Sequence, residues 1–237
     1  MPTYTVNFSA ALAALLFASS ACSPNGSTPR ADAAPNTASA ATPTPAQSSA
    51  PDPLVTAADH GRIQGDSSAK TWVIIASDFQ CPYCKQWHEE TYEAFLKEYV
   101  RSGKVKVAYV NYPLGQHQNA NITAQAAMCA SAQNKFWQYH DALFNSQAVW
   151  ETMPQPRPVL DSLAKSVGVD VKSWGQCVDS GKMMALIQAD RDRLAQAGVE
   201  STPSFLIGDE ILAGAQPIDA MRPALDSAIR KNSGVAR

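Results

Sequence analysis

The sequence predicts an α/β domain that runs βαβ, then a block of helices, then ββα. Three observations point there. A continuously apolar, β-rich run, Thr71 to Ser77 (TWVIIAS), is followed at Pro82 by a segment whose large apolar residues recur at helical steps. An alternating stretch, Lys104 to Asn111 (KVKVAYVN), closes that unit. The period then changes, and residues from about 115 to 198 read as helix before strand-like runs return at Ser204.

Each element has its own justification. Gly61 to Gly65 reads as a short edge strand, and Asp66-Ser67-Ser68 as the turn after it. Thr71 to Ser77 suits a central strand buried on both faces. A helix is expected from Pro82 to about Arg101, with Trp87, Tyr92, Phe95, Leu96, Tyr99 and Val100 on one face and Gly103 as its stop. Lys104 to Asn111 alternates like a strand with one buried face, and the crossover joining the two strands should be right-handed. Helical stripes follow: Ile122, Ala126, Cys129; Phe136, Trp137, His140, Leu143, Phe144; Leu160, Leu163, Val167; Trp174, Cys177, Val178; and Met184, Ile187, Arg191, Leu194. Strands are expected at Ser204 to Ile207 and near Ile211 to Ala213, with a turn at Gly208-Asp209. A last helix, from roughly Pro217 to Lys231, carries Ile218, Met221, Leu225 and Ile229. Proline removes a helical hydrogen bond, so this helix should start near Pro223 or kink there.

The first quarter of the 237 residues has a different character. Ala10 to Ala18 (AALAALLFA) is too short to span a bilayer and has the length of a signal-peptide core. Ser19-Ser20-Ala21 and then Cys22 follow, an order that looks like a bacterial lipoprotein signal, with Cys22 the lipidated residue. Residues 1–21 are therefore expected to be a signal peptide. Residues 22–54 should be a disordered linker, because Ala, Ser, Thr, Pro and Asn offer too little apolar surface to offset ordering entropy. Residues 55–237 are left as the folded domain, with no separate dimerisation module, so a monomer is expected. Nineteen basic against 21 acidic side chains leave no basic stripe, which argues against nucleic acid as a partner.

Cys81-Pro82-Tyr83-Cys84 carries the chemistry. Two thiols separated by one helical turn can close a disulfide. At a helix start, unpaired N–H groups and the helix dipole favour the first thiol as thiolate. Pro82 suits the first helical position, where its missing N–H costs nothing. A zinc site would want a second C-x-x-C pair, which is lacking; His88, four residues beyond Cys84, could join a metal only with further ligands. Haem attachment would need a histidine where Lys85 stands. A redox dithiol without metal or cofactor is the reading that survives. Cys129 and Cys177 lie on apolar helix faces; they are either buried free thiols or, in an oxidising compartment, a structural disulfide, which we expect.

At this point the chain resembles the thioredoxin-fold, DsbA-type disulfide oxidoreductases of the bacterial envelope. The resemblance rests on Asp78-Phe79-Gln80-Cys81-Pro82-Tyr83-Cys84, on Phe136-Trp137-Gln138-Tyr139-His140, and on Ser201-Thr202-Pro203-Ser204-Phe205. It implies that Cys81 is the exposed, attacking sulfur of low pKa and Cys84 the buried, resolving one. It implies a cis Pro203 facing the dithiol, with the Thr202 backbone pairing with an extended substrate. Pro82-Tyr83 is similar to the dipeptide of glutaredoxins and envelope isomerases, which implies an intermediate redox potential. Asp78 either relays the Cys84 proton, raises the thiol pKa by repulsion, or merely caps or faces solvent. His88, on the cysteine face of its helix, should be structural or substrate-facing, and His140 a satisfied buried histidine.

The function expected is disulfide exchange with reduced or misoxidised exported proteins, through a mixed disulfide at Cys81. Reoxidation would come from a membrane quinone-linked thiol oxidase, and a lipid anchor at Cys22 would hold the protein on the envelope side. An envelope isomerase or reductase, and a tethered chaperone whose thiols matter little, are the competing readings.

Overall fold

The structure is a computed structural model that describes residues 52–234. The expected signal peptide, Cys22 and all but the last three residues of the linker lie outside the described residues. Among these, no helix is long and apolar enough to cross a membrane.

Among the described residues five strands form one sheet in the order β1-β3-β2-β4-β5: β1 (Ile63–Gly65), β2 (Thr71–Ser77), β3 (Val105–Asn111), β4 (Ser204–Ile207) and β5 (Glu210–Ala213). β2 and β3 run parallel, as the βαβ reading requires, and the other pairs are antiparallel. The apolar run of β2 places it mid-sheet, with Val73, Ile75 and Ala76 buried and only Trp72 substantially exposed. β3 departs from the expected one-sided strand. It lies between β1 and β2, and Val105, Val107, Ala108 and Tyr109 are all buried because helices cover both of its faces. β4 pairs Ala76 with Ser204, so the segment just before Ser204 sits beside the end of β2. That register positions the site.

The expected single helix after β2 is interrupted. α2 (Pro82–Glu90) gives way at Thr91 (φ −124°) to the single turn α3 (Tyr92–Phe95) and a π-helical turn, Leu96–Val100. The reason lies in the spacing. The five-residue step from Trp87 to Tyr92 rotates a regular helix by about 500°, or 140° off the first face. Only a break lets both residues reach the core, where they meet at 5.5 Å between rings. The wide turn, closed by Arg101 N–H on the Leu96 carbonyl (2.8 Å), buries Leu96, Tyr99 and Val100 together.

Helix α1 (Pro53–Gly61) occupies residues expected to be linker and strand. Asp52 caps it through Leu54 N–H (2.8 Å). Gly61 ends the helix rather than starting β1. A Cβ there would lie 2.3 Å from the Ser131 carbonyl oxygen, so only glycine permits this approach. Ser131 belongs to α4 (Ala120–Ser131), an alanine-rich helix almost wholly buried at the centre of the helical block. Around it stand α5 (Phe136–Asn145), α6 (Gln147–Trp150), α7 (Arg157–Ser166), α8 (Val171–Ser180) and α9 (Met184–Gln196). A disulfide, Cys129–Cys177, ties α4 to α8.

Two more expectations need correction. On α9 the exposed residue is Arg191, and Asp190 is the buried one, forming a bidentate pair with buried Arg62. The charge is tolerated because that fork and two donors from Asn111 satisfy the carboxylate. The last helix, α10 (Ile218–Asn232), runs continuously through Pro223. The carbonyl that Pro223 leaves without a helical partner is that of exposed Asp219, where water can serve it.

Candidate active site

β2 ends at Ser77, and the chain turns through Asp78, Phe79 and Gln80 to deliver Cys81 as the capping residue of α2. Cys81 N–H donates to the Asp78 carbonyl (3.1 Å), and the Cys81 carbonyl accepts from Lys85 N–H (3.2 Å), the first rung of the helix. Pro82 takes the first helical position. Both cysteines are thiols here.

Cys81 is not exposed, contrary to expectation: 3 % of its surface is accessible, against 2 % for Cys84. The Thr202–Pro203 segment covers it, with the Thr202 carbonyl 3.4 Å from the sulfur and the Thr202–Pro203 bond cis. Pro82 and Tyr83 are the exposed members of the motif. The thiol form of Cys81 donates to that carbonyl. The buried Thr202 hydroxyl, which has no other aligned partner, remains available to a thiolate.

The two sulfurs titrate in opposite directions. Cys81 is lowered to about 6, chiefly because the Cys84 thiol donates to it, with help from Thr202 and the N–H groups of Cys84 and Tyr83; burial opposes the shift. Cys84 is pushed well up by burial first, then by its bond to Cys81 and by the charge there. A low-pKa sulfur at the helix start backed by a high-pKa one suits thiol–disulfide exchange: the first is the better leaving group and the stable thiolate.

Asp78 is buried and fully occupied. One carboxylate oxygen accepts from Gln80 N–H (2.8 Å), the other from Leu114 N–H (2.9 Å) and from His117 Nδ1 (2.7 Å). The carboxylate thus caps its own loop and ties it to the 112–117 segment. An amide network missed in the sequence holds the same loop. Gln147 on α6 donates to the Phe79 and Cys81 carbonyls (2.6 and 3.1 Å), and Gln80 bridges Asn119 N–H and the Glu151 carbonyl. None of these residues carries a local signal, since each acts across more than 30 positions of sequence.

The two histidines raised earlier lie together, away from any cysteine ligand. His140 Nδ1 and His88 Nε2 both meet Asp141 Oδ1, at 2.8 and 3.1 Å. Burial lowers His140, and Asp141 is held down by its two imidazole partners despite its own burial. His88, His140 and Asp141 could in principle offer three metal ligands. Both rings are already directed at one oxygen, however, and His88 Nδ1 is buried without the partner a ligating imidazole usually has.

Comparison with known proteins agrees with this geometry. A family model described as Thioredoxin matches residues 57–227. A probable disulfide bond formation protein D of Bacillus anthracis is 25% identical over 171 residues, covering 70% of this chain and 77% of the relative. A putative protein-disulfide oxidoreductase of Rickettsia conorii is 24% identical over 180 residues, covering 76% and 64%. Among solved structures, oxidised BdbD of Bacillus subtilis has a TM-score of 0.65 at 21% identity, covering 72% of this chain and 94% of that one. The α-DsbA1 of Wolbachia pipientis matches with the same score at 19% identity, covering 73% and 92%. The chain belongs to the thioredoxin family, as a thiol–disulfide oxidoreductase.

Proposed function

We propose that this chain introduces disulfides into exported proteins. A substrate thiolate attacks the Cys81 sulfur of the oxidised pair. The Cys81–Cys84 bond breaks, and Cys84 leaves with the electron pair and takes up a proton. A second substrate thiolate then attacks the substrate sulfur of the mixed disulfide and releases Cys81 as thiolate. The substrate loses two electrons and the dithiol gains them. The observation that carries this direction is the split between the sulfurs, Cys81 lowered to about 6 and Cys84 well raised, because it stabilises the reduced form. Thr202 and Pro203 line the approach, and Pro82 and Tyr83 shape its rim.

Return to the oxidised state is assigned to a membrane quinone-linked thiol oxidase. Export is supported by the apolar run ending before Cys22, and a lipid on Cys22 would anchor the chain on the envelope side. A disulfide at Cys129–Cys177 fits an oxidising compartment. The test mixes the oxidised chain with a reduced, unfolded secreted ribonuclease. Substrate disulfides should appear as the chain becomes reduced, and Cys84→Ser, first converted to a Cys81–glutathione disulfide, should trap a mixed disulfide with substrate through Cys81 as glutathione leaves. Rearrangement of scrambled substrate without net oxidation would make it an isomerase; client binding that survives loss of both thiols, without exchange in the wild type, would make it a chaperone.

A further inference from the structure

We propose that His117 is a positioning residue of the dithiol, acting through Asp78 on the charge felt by Cys81 and Cys84. This rests on the oxidoreductase reading and adds to it a residue outside the motif. The Asp78 side chain has no exposed surface, and His117 is the one cationic-type side chain within ion-pairing reach of it among the described residues. The main chain of Asp78 is joined to the cysteine loop, its carbonyl accepting Cys81 N–H at 3.1 Å. One carboxylate oxygen accepts Gln80 N–H within the loop, and the other takes Leu114 N–H and the His117 ring, which draw its charge toward the 112–117 segment. The His117 ring keeps 17% of its surface exposed, so the link runs from the buried loop toward solvent. An ionised carboxylate has no proton to donate, so it acts on the thiols as a fixed charge. The fewer hydrogens it holds, the more its charge opposes a thiolate nearby.

The two residues should therefore pull in opposite directions. In the full chain, His117→Ala strips one donor from Asp78. It should weaken the oxidising equilibrium against glutathione about three- to tenfold, the upper limit corresponding to about 30 mV for two electrons. Cys81 should titrate correspondingly higher by its thiolate absorbance. His117→Asn, whose amide can take the place of the Nδ1 donor, should restore most of the loss. Asp78→Asn removes the charge and should move both quantities the other way, and in that background His117→Ala should change them less than twofold. A mere tether predicts something else: both single variants would shift the potential in the same direction, and the His117 effect would persist without the carboxylate. Either result overturns the proposal, as does a His117→Ala chain of unchanged potential. If the wild type itself fails to exchange with glutathione, the oxidoreductase reading is what falls, and the Cys81 titration still decides the His117 coupling.

Discussion

The described residues hold two cysteine pairs in two kinds of surroundings, and both are buried. Cys129 and Cys177 sit mid-helix on α4 and α8, 48 residues apart, among side chains with no donor aimed at sulfur, and they are joined. Cys81 and Cys84 share the same apolar cluster yet stand at a helix start, ringed by N–H groups, a hydroxyl and a cis-proline segment. Burial therefore does not separate the structural pair from the reactive one. Donors aimed at a sulfur do, because they stabilise a thiolate that an apolar wall would not.

Breaking each pair in turn gives the widest contrast. Cys81→Ser should abolish exchange with reduced ribonuclease outright. Cys129→Ser with Cys177→Ser should leave the rate within a few-fold, measured in the same assay. The second variant should instead lose stability in urea denaturation, by up to about 4 kcal/mol from loop entropy across 48 residues. If exchange fell and stability held, the division between the pairs would be wrong.

pH sharpens the contrast. The folded-state value of Cys81 lies below its unfolded value of about 8.5, so the stability it contributes to the reduced chain is full above 8.5. That contribution is lost as pH falls through about 6. The oxidised chain lacks this thiol. The denaturation midpoint of the reduced chain, relative to the oxidised, should therefore climb between pH 6 and pH 8. A gap that stays flat over that window would remove the thiolate from the account. The Cys129–Cys177 bridge has no part in this dependence.

A smaller effect belongs to the contact between the two regions. Gln147→Leu deprives the Phe79 and Cys81 carbonyls of their shared donor and should cost about 1–3 kcal/mol. It should also slow exchange, since the loop that presents the sulfur is no longer held from α6. Unchanged stability and rate would mean that the helical block does not position the dithiol.

Much of this was legible in the chain itself. The βαβ unit, the helix start at Pro82 and the return to strand at Ser204 follow from local patterns of apolar and special residues, and these define the ground plan. The cysteine motif and the Ser201-Thr202-Pro203 segment announce themselves in the same way. What stayed hidden depends on partners distant in sequence. Thr91 breaks its helix so that Trp87 and Tyr92 can both be buried, although their five-residue step is a cue that can be read beforehand. Asp190 looks like one more charge on a polar face until Arg62 arrives from α1's end, 128 positions away. His117 and Gln147 are ordinary polar residues until the fold closes them on the cysteine loop. The exposure expected of Cys81 failed for the same reason, since what covers it comes from residue 202.

The most direct test is the ionisation of Cys81 in the folded, reduced chain, followed by thiolate absorbance in the ultraviolet with Cys84→Ala as a control for assignment. The account predicts a midpoint near 6 in the intact dithiol, moving upward in the control as the Cys84 donor is lost. A midpoint near 8.5 in the intact chain, where a free cysteine ionises, would contradict it.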